Sequence, residues 1–315
     1  MNLVVGFIAQ ILHIALMAAA APTLIGLIRW IQARLVGRAG PPILQPWRSL
    51  ARLLRKQPIL AESASEVSAF ATLLSLAAVA IVAVMVPSFT LGTTFAPFAD
   101  LLVIAGLLAL ARCSIALAGV DAGSALGGLG ASRTMTIAGL SEPALVLAIF
   151  TLGLLAGSSN LDVIAAMQQE SGANWQTGAG LALIATVLVA IADGANGPLV
   201  RPELAMQRDA MALEFSGPDL AVIDATEALR LLVWLNLIIA MFLPFGIAPA
   251  GAGLGVLLLG FVCWVAKLLV LAAALALLQT VMGRIRPMHV PHMLGVAILL
   301  GLLAVVFLFA GAGTV

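Results

Sequence analysis

The stretch Asp193–Gly217, DGANGPLVRPELAMQRDAMALEFSG, decides how this chain is read. It is a charged interruption between two strongly apolar runs. Asp193, Arg201, Glu203, Arg208, Asp209 and Glu214 are six of the 29 ionised side chains (15 basic, 14 acidic) in 315 residues. The whole chain is 63% hydrophobic and only 9% charged, where a soluble domain carries about 25% charged residues. The interruption is therefore read as the functional surface of an integral membrane protein, and the apolar runs as its frame.

Working outward, a bilayer core takes about 20 apolar helical residues. Eight stretches qualify: roughly Val4–Ile28, Val67–Phe89, Leu101–Val120, Thr134–Gly157, Gly178–Ala195, Ala228–Ile247, Leu254–Met282 and Pro291–Ala312. Met1–Ile28 has no positive leader and is of span length, so it reads as a retained first span. With no repeat or linker in view, the sequence predicts a single all-α transmembrane domain over 1–315 with about eight spans.

The basic residues orient that domain. Of the 15 Lys and Arg, 12 fall in the first, third, fifth and seventh connections, and none in the even-numbered connections or at the termini. The positive-inside rule then gives N-out, C-out, with the odd connections cytoplasmic. Two of these, about 29–66 and 196–220, are expected to be the main cytoplasmic-side loops. In the first of them, Arg48, Arg52 and Arg55 at i, i+4, i+7 interleave with leucines, which predicts an amphipathic helix on the leaflet surface. A lipid-headgroup anchor and a docking platform for a soluble partner both fit it.

A charge inside the bilayer costs on the order of 2.5–3.5 kcal/mol, so each needs a reason. Arg112 and Glu142 lie at similar depth in spans three and four. They read either as a helix-locking ion pair or as a relay carboxylate tuned by its arginine. Asp224, Glu227 and Arg230 open span six at i, i+3, i+6, where Glu227 and Arg230 can satisfy each other. Lys267 is the sole midplane charge and should face the interior, needing a carboxylate or water. The outer half of every span carries no charge, so a complete proton channel, which needs polar groups through its depth, is not expected. A half-path turning sideways into a partner fits better.

Several chemistries are excluded. A net charge of +1 gives no basic face for nucleic acid. Cys113 and Cys263 lie in apolar runs without a CxxC, so the chain holds no iron–sulfur cluster or haem, and electron transfer belongs to a partner. His289 and His292 are separated by proline breaks and have no third ligand, so no metal site is assigned. The glycine-rich run Gly119–Arg133 lacks the lysine and strand of a phosphate loop; close backbone packing or a mobile turn is the expectation. A self-contained ion transporter would need a midplane site on broken helices, usually with repeat symmetry, and neither is evident.

These residues resemble a known family: subunit 1, the H-type subunit, of respiratory complex I and its relatives in membrane-bound hydrogenases. The likeness is nearest to the branch of hydrogenase-4 component C and the formate hydrogenlyase membrane subunit. Arg34 with Gly40-Pro41 and Leu44-Gln45, the run Gly127–Arg133 followed by Glu142-Pro143, and Glu203 with Glu214–Gly217 are similar to the family's three loop motifs, and Lys267 falls on its span-seven lysine. The resemblance implies a non-catalytic connector subunit of an oxidoreductase complex in a bacterial or archaeal cytoplasmic membrane. It would couple electron transfer to proton or sodium translocation. Glu142, Glu203, Glu214, Asp224, Glu227 and Lys267 would be proton-path residues, with Arg112 and Arg230 tuning them. Arg34, Gln45, Arg48, Arg52, Arg133, Arg201 and Arg208 would face docked soluble large and small subunits, and antiporter-like membrane subunits would lie alongside. Iron–sulfur clusters and a nickel–iron site would sit in those partners, with no cofactor on this chain. The sequence departs from the complex I pattern at Asn196-Gly197-Pro198, at Arg201 and Arg208 where histidine is common, and after Ser132-Arg133, where glutamate is usual. Fewer acids favour the hydrogenase branch over a quinone-binding subunit of an NADH dehydrogenase-like complex.

Overall fold

A computed structural model describes residues 3–59, 64–170, 177–194, 211–281 and 290–312. Ten α-helices fill it: α1 Leu3–Leu35, α2 Gln45–Leu53, α3 Glu66–Met85, α4 Leu101–Asp121, α5 Ala125–Ala156, α6 Leu161–Glu170, α7 Thr177–Gly194, α8 Pro218–Phe242, α9 Leu254–Val281 and α10 Val290–Ala312. Among the described residues there is no strand, only two isolated bridges. Among the described residues, seven helices are long and apolar enough to cross a membrane: α1, α3, α4, α5, α8, α9 and α10. The eighth expected span forms α7, whose apolar part Ala179–Ala192 is shorter. Its 18 residues extend about 27 Å, close to the roughly 30 Å hydrocarbon thickness.

Polar residues at the helix ends set where the chain turns. Ser65, Asp100 and Ser124 each accept a backbone N–H from the first turn of α3, α4 and α5, which satisfies donors that lipid could not. The α4–α5 turn is tight. A Cβ on Gly127 would stand 2.2 Å from the carbonyl oxygen of Gly119, so the glycine-rich run serves close backbone packing.

Packing selects by size. The buried face of α3 is Ser68, Ala71, Thr72, Ser75, Ala78, Val79, Val82 and Ala83, a stripe at helical spacing made mostly of small residues. That is how helices approach in lipid, where apolar burial alone drives nothing. At the centre stands α8, with 89% of its apolar window buried, against 22% for α9 and α10. It touches α1, α2, α3, α6, α7 and α9. Several boundaries differ from the sequence expectation, and α1 runs on to Leu35. α5 begins at Ala125, and α8 runs from Pro218 to Phe242, starting earlier because its neighbours cover Glu227 and Arg230 and ending before Pro244, which cannot continue a helix. α6, in the fourth connection, was not anticipated.

The connections gather by parity. Asp121, at the end of α4, accepts hydrogen bonds from Ser65 and Ser68, and Ser216 holds both backbone groups of Ile59. These form one end, here the basic end. At the opposite end, the Leu91 N–H donates to the Ala248 carbonyl and the Ala248 N–H to the Phe89 carbonyl, around the Thr90–Ala248 bridge. There Asp100 pairs with Asn160.

Candidate functional site

The basic end concentrates the ionised groups, beginning with α8. Arg230 Nη2 donates to both carboxylate oxygens of Glu227, at 2.7 and 2.8 Å. The two side chains are only 5% and 6% exposed. One turn earlier Asp224 shares with Glu227 a cavity of about 60 Å³, whose wall includes Pro22 and Arg29 of α1 and Ser49 and Leu50 of α2. A water needs only about 10–15 Å³ of such space, so the cavity can hold a short hydrated chain against two carboxylates.

The second acid–base pair joins α4 to α5. Arg112 is 3% exposed and donates to Glu142 Oε1 at 3.2 Å and to Ser141 Oγ at 3.0 Å. The depths match as the spacing required. Glu142 itself remains 42% exposed, on a helix otherwise lying in the membrane.

The segment entering α8 is pinned by its apolar residues. Met211 and Phe215 are buried with Ala71, Ile115, Ala118, Ala131 and Ile223, in a crevice between α3, α4, α5 and α8. Glu214 then lies over the α4–α5 turn and accepts a hydrogen bond from Ser124 Oγ. Gly217 has φ +60°, and a Cβ there would meet the Gln57 carbonyl oxygen at 2.7 Å. Only glycine allows both the turn and the approach.

The docking candidates form an exposed rim. Arg34 lies over the Trp30 ring at 5.3 Å; Arg48, Arg52 and Arg133 are exposed, and Gln45 opens α2. The expected surface helix is real and has no fully buried residue. Glu203, Arg201 and Arg208 lie outside the described residues. So does His289 of the rejected metal pair, and among the described residues no metal-binding cluster occurs.

Two expectations need correction. Lys267 does not pair with a carboxylate: its Nζ donates to the Leu243 carbonyl at 2.6 Å and to that of Phe245. Those carbonyls follow the end of α8, where Pro244 stops the helix and leaves acceptors without amide donors. A helix C-terminus carries partial negative charge, which is enough partner for an ammonium. Nor is the opposite half free of ionisable groups. His13 of α1 is 1% exposed, and Gln10 and Asn236 are buried with it. The only advance signal was a histidine one turn from a glutamine within an apolar run.

Comparison with known proteins extends this geometry to relatives. The NADH dehydrogenase family model matches residues 8–310. Hydrogenase-4 component C of Escherichia coli (strain K12) is 30% identical over 291 residues, covering 92% of each chain. Formate hydrogenlyase subunit 4 of the same organism is 30% identical over 270 residues, 85% of this chain and 87% of that one. Among solved structures, a chain of the membrane-bound sulfane sulfur reductase, an archaeal respiratory membrane complex, superposes with a TM-score of 0.78. That match has 20% identity and covers 95% of this chain and 99% of the other, so it bears on the fold alone.

Proposed function

Because this chain belongs to the NADH dehydrogenase family, of the complex I subunit 1 type, we propose that it is the membrane connector of an energy-converting, hydrogenase-like complex. The basic end is cytoplasmic, and soluble large and small subunits dock on its rim of Arg34, Gln45, Arg48, Arg52 and Arg133, with Arg201 and Arg208 from the segment between α7 and α8. The membrane is a bacterial or archaeal cytoplasmic membrane. Redox chemistry stays in the soluble partners, on their iron–sulfur clusters and nickel–iron site. This chain binds no cofactor and passes charge movement sideways to antiporter-like neighbours.

One observation supports the reading: the acid–base pairs Arg112–Glu142 and Glu227–Arg230 lie in the half of the bundle nearer the exposed arginine rim. A redox event above the rim would be felt first by Asp224 and Glu227, across the hydrated cavity. From there Glu227 and Glu142 are the carboxylates that change proton occupancy, held by Arg230 and Arg112. The half-exposed Glu142 carboxylate, on a membrane helix, supports a lateral exit, since lipid would not solvate it. The fewer acids of this sequence favour the hydrogenase branch over quinone binding, and among the described residues the cavity beside Asp224 and Glu227, about 60 Å³, is smaller than the roughly 300–1,000 Å³ of small-molecule sites.

Two measurements test this. In the purified complex, residues 45–56 and 201–214 should be protected from labelling by the soluble subunits, and full reactivity of both segments defeats the docking claim. Glu142→Gln should leave the complex assembled and lower ion-coupled turnover by about 100-fold or more, the scale on which one proton-transfer group acts. Unaltered coupling removes Glu142 from the path.

A further inference from the structure

α3 ends in an unusual way. Ala83 would ordinarily give its carbonyl to the amide four residues on, but that residue is Pro87, which has no N–H. The vacancy is filled from α1: His13 Nε2 lies 2.9 Å from the Ala83 carbonyl oxygen. Gln10, one turn earlier on the same face, donates to the next carbonyl, that of Val84, at 3.2 Å. On its other side, His13 Nδ1 lies 2.7 Å from Ser88 Oγ. A carbonyl can only accept, so Nε2 carries a hydrogen in either protonation state of the ring. Nδ1 is the variable position. In the neutral ring it accepts from the Ser88 hydroxyl; in the imidazolium it donates to the same oxygen, whose hydrogen rotates away.

We propose that His13 is an exchangeable proton-binding site in the half of the bundle away from the basic loops. The bound species is a proton on Nδ1, and no backbone movement is needed to accept it. The C-terminal carbonyls of α3 favour a positive charge. A cavity of about 10 Å³, about one water in size, lies in the same region, lined by Ala9, Thr90, Gly92 and Gly251; its wall does not include His13, Gln10 or Ser88. The ring also faces Phe89, 6.5 Å away between centroids. Among the described residues the ionisable groups at this end are Lys267 on α9, engaged with the carbonyls of Leu243 and Phe245, Cys263 one turn before it, Asp162 on α6, engaged with the Gly92 amide, Glu170 at the exposed end of α6, and Asp100, which caps α4. Both ring nitrogens of His13 are committed to Ser88 and Ala83 instead. The site is independent of the connector reading, since it touches neither the arginine rim nor the carboxylates of the basic end.

The test uses the full chain in lipid nanodiscs with nitrogen-15-labelled histidine, titrated from about pH 5 to about pH 9, the range in which imidazoles change charge. His13→Gln, which keeps a donor for Ala83, identifies the His13 signal by its loss. The expected result is one N–H at high pH and two at low pH. Ser88→Ala removes the acceptor for the second and should lower the midpoint by about one pH unit, a tenfold loss of proton affinity. A His13 signal that keeps a single N–H across the whole range overturns the proposal and leaves the ring a helix cap. So does a Ser88→Ala midpoint identical to the wild type. The wild-type titration decides the first point even where a variant does not fold.

Discussion

The two ends of the bundle solve the same problem with different partners. At the basic end buried cations meet carboxylates: Arg230 meets Glu227, and Arg112 meets Glu142. At the opposite end the imidazole of His13 meets the Ala83 carbonyl released by Pro87, and the cation Lys267 meets carbonyls just past the C-terminus of α8, around Pro244. A carboxylate can change its protonation; a carbonyl cannot. The basic end is thus built from pairs whose charge can move, and the opposite end from caps whose acceptor side is fixed. The two proline-ended helices, α3 and α8, are even tied to each other there through the Thr90–Ala248 bridge.

The sharpest way to break this contrast is at Glu227. Glu227→Ala takes from the nearly buried Arg230 guanidinium the carboxylate that it holds with both oxygens. The expected loss is about 3–5 kcal/mol of stability, read by reversible unfolding in mixed micelles. Replacing both members, with Glu227→Leu and Arg230→Met together, should recover most of that loss, because two buried charges are exchanged for packed apolar surface. A double variant no more stable than the single one would mean that the pair is held by further partners.

Lys267 is the next lever, because the sequence places it among proton-path residues and the geometry makes it a cap. Lys267→Met should cost about 1.5–3 kcal/mol, the range for hydrogen bonds made by a charged group, and coupled turnover of the assembled complex should survive. If stability is unchanged and turnover collapses, the lysine belongs with the carboxylates of the basic end and the division between the two ends fails.

That reversal shows what a sequence can carry. The positions of 12 basic residues gave the alternation of the connections, and the described parts of the first six connections gather at two ends in that alternation. Arg112 and Glu142 were legible as partners because two opposite charges at matched depth in adjacent spans have few other solutions. The partners of His13 and Lys267 were not legible. They are carbonyls, which every residue has, contributed by helices 70 and 24 residues away in sequence. The buried face of α3 was also hidden, since both its faces are apolar and the inner one differs mainly by small side chains. The start of α8 was misplaced for the converse reason: Asp219, Asp224, Glu227 and Arg230 lower local hydropathy, although the helix runs straight through them.

The smallest effect is expected at Asp162, on α6 at the opposite end. Its Oδ2 accepts the Gly92 N–H at 2.7 Å, while Oδ1 is buried and has no partner among the described residues. Burial pushes this carboxyl above its ordinary range, and the Gly92 hydrogen bond only partly offsets that. An acid that holds its proton more tightly folded than unfolded adds stability below its ordinary range, and that stability is lost as pH rises through the raised value. At neutral pH the wild type is therefore the strained form. Asp162→Asn keeps an acceptor for Gly92 and removes the buried charge. It should be at least as stable as the wild type near pH 7, and its stability should vary less between about pH 4 and about pH 7. A clear loss of stability at pH 7 would show that the charge on Asp162 is compensated. The opposite end would then hold an ion-paired group as well, and the contrast between the two ends would be one of degree.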